Sequence, residues 1–169
     1  LVGDIVLMSD QLSQKVAQWL QEAGLAVSKT QNVQDYFNIT VSPPPPAQGP
    51  VLTVARPKSE SSFFAVGMGI SIHPDHLRKL NAEPRNDRLS FLNSLKYTYL
   101  TMNVDFVFIP PQNEVPQHIQ LVKLIFVDGL TQNELFNTYT LVRNAGILTI
   151  MKFVDRFGNV DQNQPSGIA

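Results

Sequence analysis

Apolar side chains recur along this chain with two distinct periods, and the switch between them marks out the elements. Leu12, Val16, Trp19, Leu20 and Ala23 repeat at helical spacing and predict a helix from about Ser9 to Ala23. Ser9 or Asp10 is placed to cap its start, and Gly24 sits where a helix stop belongs. A period of two follows. It predicts strands over Leu25–Thr30, Tyr36–Val41, Val51–Arg56 and Phe63–Ile72. The last of these has the sharpest pattern. Phe64, Val66, Met68, Ile70 and Ile72 fall on one face, while Ala65, Gly67, Gly69 and Ser71 fall on the other, behind Phe63. A face of such small residues allows close approach to the backbone.

The helical period then returns. Pro74 and Asp75 suit a first turn, Pro84 interrupts, and a longer helix runs from Asn86 or Asp87 to about Met102. Its stripe is Leu89, Leu92, Leu95 and Tyr99, widened by Phe91 and Leu100. Two more strands are predicted at Val104–Ile109 and His118–Val127. The second is apolar enough to suggest a central strand or one covered on both faces. Thr131 and Glu134 have the spacing of a capping box for the last helix, with Leu130 and Leu135 as its hydrophobic staple. That helix carries a stripe of Leu135, Tyr139, Val142, Thr149, Ile150 and Phe153.

Because strands come in adjacent runs, the order α-β-β-β(-β)-α-β-β-α predicts an α+β fold. It has one antiparallel sheet of five or six strands with the helices on one face. The expected organisation is a single domain over 9–157, an N-terminal extension over 1–8 and a flexible tail over 158–169. Met8 is a plausible native start, which would make residues 1–7 an addition. Pro43 to Pro46 reads as a stiff connection between strands, since proline cannot donate to a ladder.

Composition narrows the chemistry. The 169 residues suffice for one core without staples. A net charge of −1 with no basic stripe argues against nucleic acid and anionic membranes as partners. No apolar run approaches the roughly 20 residues of a membrane helix. There is no cysteine, which excludes disulfides, thiolate metal sites and cysteine nucleophiles and suits a cytoplasmic location.

Catalytic motifs are missing: there is no P-loop, no GxSxG, no HExxH, and Gly67–Met68–Gly69 lies inside a strand without the third glycine of a dinucleotide site. His73 and His76 are the best-spaced metal candidates, with Asp75 between them. One helical turn does not bring all three together, so a helix start is the favoured reading and no cofactor is expected. His118 stands apart from any acid in sequence. Asp128 is explained by its turn, and Arg56, ahead of Pro57, is read as exposed rather than anion-binding.

The blocks Trp19–Gly24, Arg56–Pro57, Ile72–His76, Phe91–Lys96 and Leu124–Thr131 carry a likeness. On them the chain resembles domain-of-unknown-function family 2299, a group of short bacterial and archaeal proteins. That resemblance implies no activity or site. The element order is also similar to the fold of type III secretion chaperones and YbjN-like proteins. Those domains are often dimeric, and the chaperones bind extended client segments along apolar grooves.

The favoured expectation is therefore a non-catalytic protein-binding or chaperone-like module, a homodimer, taking another protein or an extended peptide on a face built by Phe63, Phe64, Met68 and Ile70. The alternatives are a small enzyme assembled around His73, Asp75 and His76, or a ligand sensor whose glycine-bearing strand lines a cavity.

Overall fold

The computed structural model describes residues 11–160. The proposed caps Ser9 and Asp10, the extension over 1–8 and the tail from residue 161 lie outside them. Among the described residues there are four α-helices: α1 (Gln11–Glu22), α2 (Pro74–Ala82), α3 (Arg85–Thr101) and α4 (Gln132–Phe157). There are six strands: β1 (Ala26–Lys29), β2 (Phe37–Ser42), β3 (Leu52–Arg56), β4 (Phe63–Ser71), β5 (Asp105–Ile109) and β6 (His118–Phe126). The strands form one open antiparallel sheet in the order β1-β2-β3-β4-β6-β5. The fold is thus α+β, with the middle helical region divided at Pro84.

Local chemistry explains the boundaries. Gly24 adopts φ +81°, and the bonds Leu25 N–H to Leu20 O and Gly24 N–H to Gln21 O close α1 in a Schellman turn. Asn103, at φ +54°, ends α3 the same way through Val104 N–H to Tyr99 O. Pro74 opens α2, where the His73 Nδ1 accepts the Asp75 N–H at 3.2 Å. The Thr131 hydroxyl accepts the Glu134 N–H at 3.1 Å and starts α4.

Register decides which face is buried. Ile39 pairs with Val54 and Val41 with Leu52, and Val54 pairs in turn with Val66, so one row of apolar side chains crosses three strands. Between β4 and β6 the flanking bonds Val127 N–H to Ser62 O and Ile72 N–H to Gln117 O set an antiparallel register. That register puts Phe63 opposite Phe126, Ala65 opposite Leu124 and Ser71 opposite His118.

The described residues group into two compact units, one drawn from the chain up to residue 68 and from 122–143, the other from 69–121 and from residue 144 onward. In the first, α1 packs against β1 and β2, and Val16, Leu20, Ile39, Val41, Leu52, Val54, Phe64 and Val66 are buried. In the second, an aromatic cluster joins α2, α3 and the end of α4. Phe91 packs edge-on against Phe153 and Phe157, and the His76 ring stacks on Phe153. The buried Tyr99 O–H lies 2.7 Å from the Thr149 hydroxyl, which itself donates to the Ala145 carbonyl.

Some residues depart from their expected places. Leu100 and Ile150 lie on the solvent side of their helices, because each sits at the margin of a stripe whose centre is taken by Tyr99 and Thr149. β6 is central in pairing, between β4 and β5, yet one of its faces stays open, with Leu124 and Phe126 exposed. Its apolar run reflects an uncovered face, not two covered ones.

Candidate functional site

Strand alternation sorts the four residues expected to bind a partner. Phe64, Met68 and Ile70 point into the core and are buried, as is the rest of their row. Phe64 meets Phe37 edge to face at 6.0 Å. These three are therefore core residues, a correction forced by their sharing a face with Val54 and Leu52. Phe63, one residue out of phase, lands on the open face. Its ring meets Phe126 at 6.4 Å.

In the first unit this open face carries the cross-strand pairs Phe63–Phe126, Ala65–Leu124 and Gly67–Val122. Phe126 is 56% exposed and Leu124 39%. Across β2 and β3 the same face turns polar, with Asn38, Thr40, Ser42 and Thr53. The small residues of β4 leave room for their β6 neighbours: a Cβ on Gly69 would come within 3.3 Å of the Gln120 side-chain oxygen.

The apolar strip runs into a cleft of about 450 Å³ lined by Arg56, Glu60, Ser61, Ser62, Phe126, Val127 and Asp128. Arg56, expected at the surface, is only 8% exposed. Its Nε and Nη2 both donate to the Ser61 carbonyl, at 3.1 and 3.0 Å, and its guanidinium lies 5.4 Å above the Phe64 ring. Arg56 thus holds the β3–β4 turn in place. No sequence signal showed this, because the partner carbonyl belongs to a turn whose shape only the folded chain defines.

The histidines do separate tasks in the second unit. His73 Nδ1 caps α2, and Asp75 pairs with Arg78 at 2.7 Å. His76 is buried and its Nε2–H donates to the Gly158 carbonyl at 2.9 Å, while Lys79 donates to the Phe157 carbonyl. Both donors sit at the C-terminal end of α4, where free carbonyls collect. The rings of His73 and His76 stand 6.1 Å apart, and no group of three metal-binding side chains occurs among the described residues.

His118, isolated in sequence, meets a partner from 47 residues away. Its Nδ1 lies 3.0 Å from the Ser71 hydroxyl on the exposed surface of β4 and β6. Glu114 bridges Arg88 and Arg85, at 2.6 and 2.9 Å. The hydrogen bond from Arg88, reinforced by Arg85, holds its carboxyl below the usual range.

No curated protein matches the sequence. A crystal structure of an uncharacterized protein from Methanothermobacter thermautotrophicus superposes with a TM-score of 0.76 at 22% identity, over 87% of this chain and 99% of that one. The fold is therefore shared with that protein. The crystal structure of YbjN from E. coli aligns with a TM-score of 0.46 at 13% identity, over 83% of this chain and 94% of that one. The family described as "Uncharacterized conserved protein (DUF2299)" matches residues 12–153, from α1 almost to the end of α4. The chain belongs to that family.

Proposed function

We propose that this protein is a non-catalytic, chaperone-like binding module of the cytoplasm that works as a homodimer and receives an extended apolar segment of another protein on the open face of β4 and β6. The observation that carries the reading is the pair of exposed apolar side chains Leu124 and Phe126 beside Phe63. An apolar strip continuous with a cleft is the kind of surface that marks a binding site. The titratable groups with shifted behaviour add no poised acid or base. Burial accounts for Tyr99 and Tyr139, and ion pairing accounts for Glu114 and Arg156.

An array of twelve-residue peptides rich in Leu, Ile and Phe tests it. Wild type retains a subset of the array, and Phe126→Asp weakens that binding by roughly 10-fold or more while keeping its melting temperature, since the residue is exposed. Retention unaffected by the substitution, or none at all, overturns the reading.

The domain is one folding unit in the same proposal, because β4, β6 and α4 each run through both compact units. Calorimetry is expected to give a single transition with equal van't Hoff and calorimetric enthalpies. Two resolved transitions would contradict it.

A further inference from the structure

We infer that two copies of the chain pair through β5, edge to edge and antiparallel, about a two-fold axis at Val107. This deepens the homodimer part of the reading above and is independent of the peptide site.

Among the described residues the sheet has two edges, β1 and β5. An exposed edge offers unpaired backbone groups, and proteins defend it with short strands, lysines or prolines. β1 is defended: it is four residues long and ends in Lys29. β5 is guarded only at its ends, by Asp105 and Pro110. Phe106–Val107–Phe108 between them has no charge and no proline, and Val107 is 49% and Ile109 39% exposed.

Hydrogen-bond direction fixes what the edge presents. The Gln117 N–H donates to the Ile109 carbonyl at 2.7 Å, so the backbone of Ile109 faces β6. Alternation then turns Val107 and Asp105 toward β6 and the N–H and C=O groups of Phe106 and Phe108 outward. In an antiparallel pair centred on Val107, Phe106 lies opposite Phe108 of the partner subunit, and Phe108 opposite the partner's Phe106. Each is a hydrogen-bonded pair, and Pro110, which has no N–H, ends the ladder. The outward groups are thus self-complementary in this register, as an isologous interface requires.

The side chains agree. Phe106 and Phe108 are already ordered, with rings 5.5 Å apart, Tyr99 against Phe106 and Lys96 over Phe108. Doubling them across the axis makes two cross-strand aromatic pairs. Val107 would meet the partner's Val107 in a non-hydrogen-bonded pair, with Cα atoms about 4.5 Å apart. Five residues bury less surface than the roughly 800 Å² per partner of a standard interface, so the affinity expected is micromolar.

Sedimentation velocity over 1 μM to 1 mM, with substitutions at Val107, tests the pairing. Wild type is expected to dimerise reversibly. Val107→Lys and Val107→Glu each weaken the dimer on the order of 10-fold or more by placing like charges on the axis, and mixing the two variants restores it. The chain has no cysteine, so Val107→Cys adds a lone thiol within disulfide reach of the partner's copy. It is expected to cross-link faster than Tyr97→Cys, an exposed control on α3. A wild type that stays monomeric to 1 mM overturns both the homodimer and this interface. A dimer indifferent to the charges, not restored by mixing, or cross-linking no faster than the control, overturns the β5 interface alone.

Discussion

Phe64→Ala is expected to destabilise the protein by about 3–5 kcal/mol, while Phe63→Ala, one residue away, costs within about 1 kcal/mol. Phe64 is fully buried, touches Phe37 edge to face and lies under the Arg56 guanidinium, so truncation leaves a cavity and removes an aromatic and a cation–π contact together. At roughly 2–4 °C per kcal/mol for a chain of this size, the melting temperature falls by about 6–20 °C. Phe63 faces solvent and Phe126, and it loses only a partly covered ring. Urea denaturation of the two variants decides the matter. Equal losses would mean that the alternation of β4 is wrongly placed, and with it the binding face.

High pH is expected to weaken the fold through Tyr99. Burial pushes its phenol up to about 12, against about 10 in an unfolded chain. The neutral, protonated form belongs to the native state, so between those values the native protein binds the proton that the unfolded chain has released. Tyr99 therefore contributes its full stability below pH 10 and loses it as the pH rises from 10 to 12. The loss amounts to roughly 2–3 kcal/mol. Tyr99→Phe gives up the bond to Thr149, about 1 kcal/mol at neutral pH, and removes this alkaline loss. Unfolding measured from pH 8 to 12 in both proteins should give slopes that separate above pH 10. Parallel curves would show that the phenol titrates normally and that the site is wetter than its burial indicates.

The alkaline effect could not have been read from the chain. Tyr99 is one of four tyrosines and lies on a predicted apolar stripe, but its hydroxyl partner is Thr149, fifty residues on. The same holds for Arg56. A guanidinium ahead of a proline looks like surface, and only the β3–β4 turn supplies the carbonyl that lets it be buried. Ser71 and His118 meet because β4 and β6 are neighbours across a crossover, which no local pattern encodes.

What was legible is what local physics controls. Period two and period 3.6, the Gly24 stop, the break at Pro84 and the Thr131 cap depend on residues within a turn of one another, so they located the elements and the α+β class. The β4 alternation even separated Phe63 from Phe64. What it left open was which of two rows would be covered, because a strand exposes both faces until a helix packs on one. Pairing β4 with β6 across the intervening helices, and ending the sheet at β5, took contacts far apart in sequence. Those tertiary choices turned Phe64, Met68 and Ile70 into core and left Phe63, Leu124 and Phe126 facing out.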